Sequence, residues 1–363
     1  MSVPFDPKEL EIVRRQPSFN PAVPGTALFN FPMTEREAYK STVLNKELVW
    51  QPYGVETGFL APSVIPDNIA RGFVFEARRW PEPYTTHDDM FGVNWTYVPT
   101  VGGSMETPGI PHPLEDVNDW KTALKWPDPY SWDWDESARI NNDNLKNNGK
   151  ANILWFLNGM GFERLISFMG FENAAMALLD EDQEDALHEL LHALTDLHLT
   201  LVKLCCDTYG EGLTGFCLHD DWGSQKSPFF SVAAGRDFFV DEWKRFTSYV
   251  HSLGRIADLH SCGHIEAQIE NIVAGGWDSW TPMPMNDTHA LYENYGDKLV
   301  IGIVADKWDP KASEEEQYEA GKKFAEKFFK PGKVGAYSTY TGIPMTDAYA
   351  RGMYETSRKL SCP

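Results

Sequence analysis

Basic residues are scarce in this chain. Lysine and arginine number 32 against 53 aspartates and glutamates, which leaves a formal net charge of -21 over 363 residues. A surface of that sign repels phosphate backbones and anionic headgroups, so neither a nucleic-acid nor a membrane partner is expected. Cysteine is sparse as well, with five residues at positions 205, 206, 217, 262 and 362. An odd number at irregular spacing gives no disulfide framework and fits a reducing, cytoplasmic setting. No apolar run approaches the roughly 20 residues of a membrane span. Met1 to Leu10 carries proline and charge in place of an apolar run, so no signal peptide is expected. Internal repeats and low-complexity tracts are missing too.

Apolar residues make up 42% of the chain, enough for a sizeable core and too many for a disordered segment. Tryptophan is plentiful, and its first reading is as a large core side chain. Up to about residue 150 the chain is rich in Pro, Trp and Asn, with short apolar runs between turn signals. Trp132 to Lys150 reads there as an acidic, Asn-rich loop with room for one helix. From Ala151 onward, strand-like and helix-like segments alternate, which predicts βαβ units and a parallel sheet. Buried strands are expected at 152–157, 214–219, 255–260, 277–281, 299–304 and 333–338. Helices are expected at 162–179, 182–207, 238–253, 265–274 and 313–329, the last opening with Ser313 and Glu316 in capping-box spacing. Residues 47–52 and 91–99 are candidates for further strands. The whole, 1–363, is expected to be one (β/α)8 TIM-barrel domain of the α/β class, elaborated at its N-terminal side with an extension over 1–45.

The segment His188-Glu189-Leu190-Leu191-His192 matches the HExxH pattern of zinc proteases, and His198 falls where a third histidine would stand. The longer pattern needs a glycine where this chain has Thr195, and no Gly or Pro occurs from Asp182 to Tyr209. A single unbroken helix follows. On it, at roughly 100° per residue, His198 points about 120° away from His192. No metal is expected there.

Catalytic groups of a barrel gather at the C-terminal ends of its strands. Four such ends are polar: His219-Asp220-Asp221, His260-Ser261-Cys262, Ala305-Asp306-Lys307 and Thr339-Tyr340-Thr341. Imidazole and thiolate two residues apart, as in His260 and Cys262, form a borderline-soft pair suited to Zn(II), and Gly263 lets the backbone turn away behind them. Adjacent Asp220 and Asp221 are costly to bury without a metal, a protonated substrate or an arginine.

Gly161-Phe162-Glu163-Arg164-Leu165, Met169 to Asn173, His219 to Gln225 and Leu259 to Ile265, in that order and spacing, resemble the uroporphyrinogen decarboxylase superfamily. The superfamily holds decarboxylases and corrinoid-linked methyltransferases. The early Arg-bearing motif that grips substrate carboxylates in the decarboxylases reads Val49-Trp50-Gln51-Pro52-Tyr53-Gly54 here, without arginine. Their histidine near the last strand is missing from Ser338 to Pro344. His260 and Cys262 match the zinc-binding H-x-C of the methyltransferase branch. The further cysteine of its thiol-methylating members is replaced by Tyr340 or Thr341, and a harder, more Lewis-acidic ion results.

The resemblance therefore implies an enzyme of the O-demethylase type. It would move a methyl group from a small methyl ether, aromatic ethers included, to cobalamin on a separate corrinoid protein. Zn(II) would be held by His260, Cys262 and an acid, Asp221 or Asp220. Asp220, Asp221 and Tyr340 are the catalytic candidates, and His219 and Trp222 the candidates for substrate contact. A metal-independent decarboxylase or lyase, and a methylcorrinoid:thiol methyltransferase, are the alternatives.

Overall fold

A computed structural model describes residues 4–17, 25–78, 85–100, 102–338, 340 and 345–362. Its strands in chain order begin with β1 (Ile12–Gln16), β2 (Thr26–Phe29), β3 (Thr57–Leu60), β4 (Thr86–Asp88), β5 (Asn94–Val98) and β6 (Gly103–Glu106). They continue with β7 (Ala151–Phe156), β8 (Gly215–His219), β9 (Ile256–His260), β10 (Ser279–Trp280), β11 (Val300–Ile303), β12 (Phe329–Lys330) and β13 (Lys333–Tyr337). The principal helices are α1 (Glu35–Asn45), α2 (Trp134–Asn147), α3 (Phe162–Ala177), α4 (Glu184–Tyr209), α5 (Val240–Ser252), α6 (Glu314–Phe328) and α7 (Asp347–Ser361).

Eight mostly parallel strands with flanking helices make a mixed, TIM-like α/β fold. The sheet order runs from β12 to β3 and does not close among the described residues. The closed barrel expected from the alternation is corrected accordingly. Residues 47–52, a candidate strand, form none. Gln51 Nε2 donates to the Gly335 carbonyl at 2.7 Å and the Tyr337 N–H donates to the Pro52 carbonyl at 2.8 Å. These are single bonds to β13. Pro52 has no N–H to extend them into a ladder.

The chain divides into two compact units. The first comprises Met1–Gly58, Gly149–Ala151 and Asp278–Pro363. It holds the β1–β2 hairpin, the parallel run β10, β11, β13, and the antiparallel pair β12–β13. Buried Glu9 ties its two ends together by accepting from Tyr354 and Arg358. The capping box at Ser313 and Glu316 is present as expected.

The second unit comprises Phe59–Asn148 and Asn152–Trp277. Its centre is the parallel run β7, β8, β9. Most side chains of these strands are apolar and buried, Asn152, Asp258 and the terminal histidines excepted, as helix-covered parallel strands require. Residues 91–99 are not part of this run: β5 pairs antiparallel with β4 and β6. The Asn-rich stretch of 132–150 is mostly the helix α2. Helix α4 runs unbroken past His198, as its lack of Gly and Pro predicts. No helix among the described residues is long and apolar enough to cross a membrane.

Candidate active site

Strands β8 and β9 pair in a register that sets His219 beside His260. The two imidazoles stack with centroids 4.7 Å apart and planes at 21°. Trp155 of β7 lies against both rings, at 6.2 Å from His219 and 5.3 Å from His260. Three neighbouring strand ends thus deliver these rings to one rim, where a parallel α/β sheet places its chemistry.

The loops beyond these ends complete the group. Donor atoms of His219, Asp221 and His260 lie within 4.8 Å of one another. Cys262 adjoins them, with Sγ 3.5 Å from His260 Nε2. Its N–H donates to Asp221 Oδ1 at 2.7 Å and so orients that carboxylate. The arrangement needs a glycine at 263. Gly263 has φ 96°, and a Cβ there would stand 2.2 Å from the Gly223 carbonyl oxygen.

Electrostatics separate the two histidines. Burial, reinforced by the charge of His219, pushes His260 down to about 3, so it is a neutral lone-pair donor. Burial also opposes charge on His219, but Glu163 and Asp221 outweigh it and raise that pKa. Burial and the neighbouring Asp221 push the Cys262 thiol up.

Glu163, on the first turn of α3, binds this group together. Its Oε2 takes His219 Nδ1 at 2.9 Å and the Asp221 N–H at 3.4 Å, while its Oε1 accepts from Arg71 at 2.7 Å. Burial alone would raise Glu163, but Arg71 and His219 hold it well below the usual carboxylate range. Sequence reasoning gave Glu163 no role, although it lies in one of the motifs that carried the resemblance. Arg71 lies in the first half of the chain outside any motif. Trp155 was read only as part of a buried strand.

The remaining expected site residues differ in their surroundings. Asp220 is fully buried, and its Oδ1 accepts from the Glu163 N–H at 2.7 Å. It serves the N-terminus of α3, where the N-cap residue Gly161 has no side chain to do so. Burial and the Glu163 charge push its carboxyl up to about 8. Trp222 is also fully buried and stacks on Trp243 at 4.2 Å, as core packing. Tyr340 belongs to the first unit and is 37% exposed. Thr339 and Thr341 lie outside the described residues.

The HExxH segment forms a different surface. His192 meets Glu242 at 3.1 Å and Arg245 at 2.9 Å, and His198 is buried. Glu184, His188 and Asp237 bring three donor atoms within 4.8 Å, without His192. An open depression on this side is lined by His188, Glu189 and His192 and by none of the strand-end residues.

The strand-end donors suit zinc. A tetrahedral ion with Zn–N of about 2.0 Å and Zn–S of about 2.3 Å separates those donors by roughly 3.5 Å. The distance from Cys262 Sγ to His260 Nε2 is 3.5 Å.

No protein-family model matches the chain, and no curated protein matches it by sequence. Solved structures do match. One is a methyltransferase from Methanosarcina mazei, with a TM-score of 0.56 over 90% of this chain and 99% of that one, at 13% sequence identity. At that identity the likeness is one of fold.

Proposed function

We propose that this protein is a zinc-dependent methyltransferase that moves a methyl group from a small, aromatic methyl ether to a separate corrinoid protein. One observation carries the reading: His219, Asp221, His260 and Cys262 converge at adjoining strand ends. The methyltransferase of the same fold supports it. Bound zinc would supply a Lewis acid for the ether oxygen, which would leave as phenolate as the methyl group is transferred to cob(I)alamin.

The chain's own residues prepare that event. His260 offers an unprotonated nitrogen, and Asp221 is aimed by the Cys262 N–H. Trp155 contacts Phe59 at 4.5 Å, and Phe59 contacts Phe73 at 5.7 Å and Phe75 at 4.9 Å. All four rings are partly exposed. A partly exposed aromatic wall beside the histidines favours a flat donor over an aliphatic one.

Metal analysis, joined to a screen of methoxyarenes and aliphatic methyl ethers against reduced free cobalamin, tests the reading. One zinc per chain and demethylation of a methoxyarene are expected. His260→Ala and Cys262→Ser should lose the metal and lower the rate by more than about 100-fold, with the fold kept. Full activity after metal removal would overturn the reading in favour of a metal-independent lyase.

A further inference from the structure

We infer that Glu163 and Arg71 form a positioning pair that fixes the tautomer of His219, so that Nε2 is the nitrogen offered to the metal. The inference rests on the ligand set proposed above. Its geometry does not depend on an ion.

Glu163 Oε2 lies 2.9 Å from His219 Nδ1, which assigns the Nδ1 proton to that bond when the ring is neutral. No hydrogen bond to Nε2 is seen among the described residues, and this is the nitrogen left for a ligand. The carboxylate is itself held in place. Oε1 accepts from Arg71 at 2.7 Å, and the guanidinium lies over the Trp95 ring at 4.8 Å. Arg71 also donates to Asn158 Oδ1, and Asn158 Nδ2 donates to Asp67 Oδ1 at 3.2 Å. Asn158 has φ 64°, a left-handed conformation that few side chains accept. The backbone just past β7 is therefore turned so that this amide can bridge Asp67 and Arg71. Arg71, Asn158 and Asp67 stand behind the carboxylate. They fix the carboxylate, and the carboxylate fixes the imidazole. A carboxylate behind a metal-bound histidine sets both ring orientation and ligand basicity.

The substitution Glu163→Gln separates this role from packing. Arg71 donates only, so it keeps the amide oxygen and leaves the amide NH2 facing Nδ1. His219 must then carry its proton on Nε2. The tautomer is read by ¹⁵N NMR of the metal-free protein above the titration of His219, the signals being identified by their loss in His219→Gln. The wild type should show Nδ1–H and Glu163→Gln should show Nε2–H. Zinc and cobalt(II) should bind Glu163→Gln about 10–100-fold more weakly. Arg71→Met, which leaves Glu163 in place, should weaken binding by a smaller factor and serves if Glu163→Gln does not fold. An Nε2–H tautomer in the wild type, or unchanged metal affinity in both variants, would overturn the inference. If the wild type binds neither metal, the ligand set fails. The tautomer, measured without metal, then still decides for or against the positioning pair.

Discussion

At position 198 an imidazole lies fully buried, its Nδ1–H given to the Leu194 carbonyl at 2.8 Å and its ring perpendicular to Phe156 at 5.6 Å. Nε2 has no partner among the described residues. Burial pushes the pKa down from 6.5 to about 4. The unfolded chain therefore takes the proton first as pH falls. Stability tied to this residue is complete above pH 6.5 and is lost progressively toward pH 4. The loss approaches about 3 kcal/mol at the acid end of that window. His198→Leu should flatten this limb, so that urea midpoints at pH 7 and pH 5 differ less than in the wild type. An undiminished acid dependence would refute the assignment. The helical angle alone sets His198 off the face of His188 and His192, and that separation was legible in the sequence. The two acids at 220 and 221 were not separable in this way. Which of them serves α3 and which faces the histidines depends on the Glu163 N–H, 57 residues before Asp220 in the chain. Arg71 and Glu163 were invisible as a pair for the same reason, being 92 residues apart.

Strands β7, β8, β9, β11 and β13 fall within a residue or two of the runs expected from apolar patterning, because strands buried on both faces need continuous apolar sequence. Pattern failed where burial and pairing part company. Trp50, Gln51 and Tyr53 are buried as a strand would be, yet Pro52 interrupts the donors and no ladder forms. The turn after β9 behaves in the opposite way, since its chemistry is local and its cause is visible in sequence. Gly263 combines positive φ with a backbone contact that leaves no room for a Cβ. Gly263→Ala should therefore cost about 2 kcal/mol or more in stability and loosen the loop that places Cys262 beside Asp221. Denaturant melts and zinc affinity check the two effects together. A variant with wild-type values in both would show that the β8 and β9 loops can separate without consequence.

All four candidate zinc donors belong to the second unit, and none is part of its apolar core. The core should form without the ion, in contrast to small domains whose folding is metal binding. Chelation is therefore expected to leave the far-ultraviolet circular dichroism unchanged and the melt cooperative. Added zinc should raise the melting temperature by simple linkage, about 4 kcal/mol at a thousandfold excess over its dissociation constant. This shift should vanish in His260→Ala. A chain with a net charge of -21 also attracts cations weakly at many surface positions, so the control matters. The cluster of Glu184, His188 and Asp237 is the natural competitor, and His188→Ala tests it. A shift lost in His260→Ala and kept in His188→Ala places the ion at the strand ends. The reverse pattern would move it to the surface of α4 and leave the strand-end histidines without a metal. Unfolding on chelation would make the ion structural, and the ether-cleaving mechanism would lose its reason.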